Sequence, residues 1–191
     1  MAKLFGNLHL VLVIGVVLAI AVMLSFQPDV PVTVNSVFRW LHVFFGILWI
    51  GLLYYLNFVQ VPTMPSVPAE LKKGVTGYIA PRVFFFFRYS ALLTVITGLV
   101  VAWASGYVDR ALVFKGLNAN ENLIGLGMWL AIIMFLNVWL IIWPAQKKIL
   151  GIVSATDEQK AKAGPPALIA SRTNLLLSLP MAYAMVSANL G

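Results

Sequence analysis

Residues 37–60, VFRWLHVFFGILWIGLLYYLNFVQ, form a nearly unbroken apolar segment with two ionisable groups, Arg39 near its start and His42 one turn further in. Ionisable side chains are costly in hydrocarbon and turn toward a bundle interior, a cavity or a cofactor, so His42 is the first candidate for a functional group. Phe45, Gly46 and Trp49 follow it at helical spacing and share its face. Gly46 leaves a slot beside the imidazole. One nitrogen ligand, apolar walls and a slot are what a flat macrocycle needs, and histidine is the usual axial ligand of b-type haem. A buried histidine bonded to a neighbouring helix explains the same placement without any cofactor.

Helical rise, about 1.5 Å per residue, converts position along antiparallel spans into depth. At the depth of His42 lie Met128 and Met185, either of which could serve as a second axial ligand. With Arg39 they complete the expected cofactor set of His42, Gly46, Trp49, Met128 and Met185. A second polar level, in the other half of the membrane, holds Asn57, Arg88, Asn137, Arg172 and Asn174. An unpaired amide or guanidinium costs several kcal/mol in hydrocarbon, so a common depth implies mutual hydrogen bonding or a wet cavity. Interhelical glue is one reading. A site for an anionic group, with Arg88 and Arg172 as charge partners, is the other. The remaining histidine, His9, stands on the opposite side of the membrane, about 20 Å or more from His42, and reads as an interfacial residue.

The elements that must position these groups are set by composition. Of 191 residues, 61% are hydrophobic and 10% charged, well above the apolar content of soluble domains, so the expectation is an all-α integral membrane protein. Its length suits a single membrane domain over residues 1–191. The absence of cysteine excludes disulfides, iron–sulfur clusters and c-type haem, so any cofactor must be held non-covalently, and haem b is the expected one. A net charge of +7 finds its explanation in topology rather than in nucleic acid. The carboxylates fall in loops, which argues against a proton-relay transporter, and no nucleophile–base pair or phosphate-binding glycine pattern can be assembled.

Five apolar segments, at about 8–26, 37–60, 83–106, 123–143 and 167–189, are long enough to span. The first is expected to be a signal anchor. Prolines are expected outside the spans: Pro28 and Pro31, then Pro62, Pro65, Pro68 and Pro81, then Gly164-Pro165-Pro166 before the last helix. The stretch from Pro144 to Gly164 is expected as a short surface helix or a solvated loop. With the N-terminus cytoplasmic, Lys3, Lys72, Lys73, Arg82, Lys147, Lys148, Lys160 and Lys162 lie inside, against Arg110 and Lys115 outside. Gly191 is then outside, and a bacterial cytoplasmic (inner) membrane is the expected location.

Three stretches, RWLHVFFGILWIGLLYYLNFVQVP, NVWLIIWPAQKKI and ASRTNLLLSLPM, with FRYSALLTVITGL between the first two, resemble the membrane domain of bacterial membrane-bound urate oxidase, the urate oxidase N-terminal family. The resemblance runs over about residues 37–189. It implies a helical membrane domain whose full-length relatives oxidise urate and pass electrons to a fused cytochrome c. This chain resembles the short, single-domain relatives without the cytochrome. Residue by residue, the resemblance carries over Arg39 and His42, Asn57, Asn137 with Trp139, and Arg172 with Asn174. The W-L-H-x-x-x-G-x-x-W-x-G pattern from Trp40 to Gly51 is also similar to the first helix of other small haem-associated membrane proteins. Two functions follow as expectations: a b-type haem redox or electron-transfer protein, or a non-catalytic accessory subunit of a larger respiratory, photosynthetic or monooxygenase-type complex. Lipid and protein partners, or a homo-oligomer, are expected.

Overall fold

The computed structural model describes residues 5–25 and 32–188; Lys3, Pro28, Asp29, Pro31 and Gly191 lie outside the described residues. Among the described residues every regular element is helical. We number them α1 Leu8–Ser25, α2 Val34–Ser66, α3 Ala69–Ala104, α4 Val108–Leu112, α5 Ala119–Ile149 and α6 Asp157–Ser187. Four of them, α1, α2, α3 and α5, are long and apolar enough to cross a membrane. The helix expected as the fifth span, α6, is 31 residues long but is not among those four. Its opening turns carry Asp157, Glu158, Lys160 and Lys162, and Arg172 and Asn174 follow, which lowers its apolar content.

The prolines require a correction. Pro62 and Pro65 lie within α2, Pro81 within α3, and Pro165, Pro166 and Pro180 within α6. Proline lacks an N–H and its ring clashes with the carbonyl four residues back. In three cases a π turn absorbs that defect: Tyr55–Gln60 precedes Pro62, Val75–Ile79 precedes Pro81, and Asn137–Ile142 precedes Pro144. A wider turn shifts the hydrogen-bond register and gives the ring room, so the chain passes the proline without leaving the helix. The last helix begins at Asp157 rather than near 167 because Thr156 and Gln159 form a reciprocal capping box. The stretch expected as one surface helix or loop is instead divided among the end of α5, a turn containing Gly151 at φ +73°, and the start of α6.

Helices α2 and α3 approach closely at Thr94 and Gly98, small residues one turn apart on α3 that face Gly46 and His42 of α2. The threonine hydroxyls are satisfied within the helix, Thr94 Oγ1 donating to Ser90 O at 2.7 Å and Thr97 Oγ1 to Leu93 O at 2.6 Å. Trp49, Leu53 and Leu56 of α2 meet Phe84 and Phe87 of α3, Met134 and Val138 of α5, and Met181 of α6 in the main core. Short α4 is clamped to α5. Arg110 donates from Nε and Nη2 to the Glu121 carboxylate at 3.0 and 2.8 Å, and the Trp129 indole N–H donates to Leu112 O at 2.9 Å. Helix α1 has no buried residue.

Candidate functional site

Helices α2, α3, α5 and α6, with Tyr107 just before α4, line a half-open cavity of about 670 Å³. Arg39, His42, Gly46, Trp49, Met128 and Met185 all line it. Three helices thus bring the six residues of the expected cofactor set to one space. The walls are otherwise mainly aliphatic, and the volume lies within the range usual for small-molecule and cofactor sites.

His42 is oriented by its neighbour across the interface. Its Nδ1 lies 2.8 Å from the backbone carbonyl oxygen of Thr94. A carbonyl can only accept, so Nδ1 carries the proton and Nε2 keeps the lone pair. This is the arrangement in which a second hydrogen bond fixes the tautomer and direction of a ligating imidazole. Thr97 Oγ1, at 3.5 Å from Nδ1, is at the limit of contact. The close glycine is Gly98 rather than Gly46. A Cβ on Gly98 would stand 2.7 Å from His42 Cε1, whereas one on Gly46 would meet only Thr94 Cγ2 at 3.9 Å. Gly46 therefore widens the cavity, and Gly98 lets the imidazole lie close against α3.

Polar groups are few and placed along the length of the cavity. Arg39, exposed, accepts direction from Asn35, to whose Oδ1 its Nη2 donates at 3.1 Å. Tyr107 was not singled out from the sequence, since a tyrosine in a connection carries no periodic signal. Burial pushes its phenol pKa up and the nearby Arg39 charge partly offsets this. Trp49, two turns beyond His42, is fully buried, and its indole N–H meets no acceptor among the described residues. An unpaired buried donor costs about 1–3 kcal/mol, a cost the packing around Trp49 offsets.

The second polar level does not form one cluster. Asn137 Nδ2 donates to Asn174 Oδ1 at 3.0 Å and Asn174 Nδ2 to Met134 O at 3.0 Å, which joins α5 to α6. Asn57 Nδ2 donates to Leu53 O at 2.9 Å and to Ser171 Oγ at 3.0 Å, joining α2 to α6. Arg172 reaches only Asn57 O, at 3.5 Å. Arg88 hydrogen-bonds to none of these, and its guanidinium lies over the ring of Trp143. Asn57 Oδ1 and Gln60 Oε1 are buried without donors among the described residues. His9 is exposed on α1. No three His, Cys, Asp or Glu side chains converge among the described residues.

Neither a curated protein nor a solved structure matches the chain. A family model described as urate oxidase N-terminal matches residues 85–191, from the fifth turn of α3 onward through α6, and leaves the His42 helix outside the matched region. That match spans more than half of the chain, and with its apolar helices this protein is a membrane protein belonging to the urate oxidase N-terminal family.

Proposed function

We propose that the cavity beside His42 holds a b-type haem and that the protein acts in electron transfer or in the oxidation of a small molecule. The observation that carries this reading is the hydrogen bond from His42 Nδ1 to Thr94 O, which leaves Nε2 as a ligand nitrogen in an apolar cavity of sufficient size. Haem, when bound, supplies one-electron redox chemistry. The chain's own residues bind and orient it: His42 ligates, Met128 and Met185 bring thioethers to the same cavity, and Arg39 offers a charge partner to a carboxylate at the cavity end. The family description names urate, so urate is the first substrate to test, with an artificial electron acceptor.

We place the chain in a bacterial cytoplasmic membrane as one five-span domain, α6 included, with a cytoplasmic N-terminus. A reporter fused to the C-terminus should read outside, and a cytoplasmic signal would remove that topology. The functional test is an oxidised and dithionite-reduced absorption spectrum of gently solubilised wild type and His42→Ala. A Soret and α band lost in the variant is the expected result. A featureless wild-type spectrum would refute haem binding and favour the second reading, an accessory subunit of a larger membrane complex. One feature favours that alternative: α1 has no buried residue and offers a whole apolar surface to lipid or to a neighbouring subunit.

A further inference from the structure

We infer a second binding site, for the phosphate of an anionic phospholipid, built on Arg88 between α3 and α5. Arg88 Cζ lies 3.7 Å from the ring centre of Trp143, 4.9 Å from that of Tyr89 and 5.6 Å from that of Phe85. Trp139, one turn before Trp143, donates its indole N–H to the Arg88 backbone carbonyl at 3.2 Å. Two indoles of α5 therefore fix both the main chain and the side chain of this residue. Stacking occupies the face of the guanidinium and leaves its edge, where the N–H donors point, for an acceptor.

No side chain among the described residues supplies that acceptor. Glu121 pairs with Arg110, Asp157 with Lys160 and Glu158 with Lys162. Glu70 stands at the start of α3, and Asp109 lies on α4 beyond its far end, both many turns from Arg88. A half-buried cation on an apolar helix takes its counter-ion from lipid or reaches toward water. The Arg88 guanidinium is held beside the rings of Trp143, Tyr89 and Phe85. Lys147 follows Trp143 by one turn on the same face and is also half-buried, so a second cation stands at the same end of α5. A phosphodiester has the charge and the paired oxygens that a guanidinium fork takes. Exposed Phe85, Phe86, Leu140 and Ile141 flank the site and suit acyl chains, whereas inorganic phosphate would gain nothing from them. The site shares no residue with the His42 cavity and does not depend on the haem reading.

The test is native mass spectrometry of the solubilised full chain titrated with phosphatidylglycerol, with phosphatidylcholine alongside. Wild type should retain phosphatidylglycerol about tenfold or more tightly than Arg88→Gln, the loss expected for one charge-assisted pair. Arg82→Gln, which removes a cation from the same helix, should bind as wild type does. Equal binding by wild type and Arg88→Gln, an equal loss in Arg82→Gln, or equal retention of phosphatidylcholine would overturn the proposal. Displacement of the lipid by millimolar inorganic phosphate would assign the site to free phosphate and overturn the lipid. Should Arg88→Gln fail to fold, Arg88→Lys keeps the charge but loses the planar stack, and it should bind severalfold more weakly; binding equal to wild type would again overturn the proposal.

Discussion

Substituting Gly98 with alanine tests the packing that orients His42. The new methyl would stand 2.7 Å from His42 Cε1 and 2.9 Å from Nδ1, inside contact distance, so the ring must move. The ring is held by its 2.8 Å hydrogen bond to Thr94 O, one turn before Gly98 on the same helix, and it cannot swing away without lengthening that bond. Overpacking of this kind costs about 1–3 kcal/mol. Loss of the hydrogen bond adds about 1 kcal/mol. Replacing glycine with alanine in a helix returns up to about 1 kcal/mol. The net expectation is a destabilisation of about 1–3 kcal/mol relative to wild type. The matched control is Gly15→Ala on α1, where a Cβ meets nothing within 4 Å and only the favourable helix effect remains. Reversible unfolding in mixed micelles measures both, and the absorption spectrum of Gly98→Ala should lose the same bands as His42→Ala. The argument fails if Gly98→Ala is as stable as Gly15→Ala and keeps wild-type bands, since the imidazole would then be neither tightly packed nor positioned by α3.

Other substitutions probe other joints. Asn174→Ala strips partners from Asn137 Nδ2 and Met134 O and should cost about 1–2 kcal/mol in the same unfolding assay, while Arg172→Ala, which loses a 3.5 Å contact from an exposed side chain, should cost under about 0.5 kcal/mol. Trp49→Phe removes a buried donor that has no acceptor, so the protein should melt within about 1 kcal/mol of wild type. Gly125→Ala places a methyl on the Ala111 carbonyl, and because backbone rather than a mobile side chain is in the way, α4 must lift from α5 at a cost of about 2 kcal/mol or more, read by melting and by faster proteolysis after Arg110.

Axial position was legible in the sequence, and rotation about the helix axis was not. A fixed rise per residue and antiparallel spans bring Met128 and Met185 to the level of His42 whatever the side chains do, and all three line one cavity. The same arithmetic set Arg88 beside Asn57, Asn137 and Asn174, yet Arg88 faces Trp143 and Tyr89, because depth says nothing about which neighbour a residue meets. Gly98 and Tyr107 were missed for a related reason. A glycine at small-residue spacing and a loop tyrosine acquire meaning only when another helix closes on them.

Composition alone determined a helical membrane protein without cysteine chemistry, because hydrocarbon admits only chains that satisfy their own backbone. Helix ends were decided in three dimensions. Proline rules predicted breaks at Pro62, Pro81 and Pro165, but π turns precede the first two, and the helix that starts at the Thr156 capping box runs on through Pro165. The tautomer of His42, the unpaired indole of Trp49 and the stacked guanidinium of Arg88 belong to tertiary structure as well. Each depends on a group from a different helix, or on the absence of one, and no spacing within a single helix specifies that.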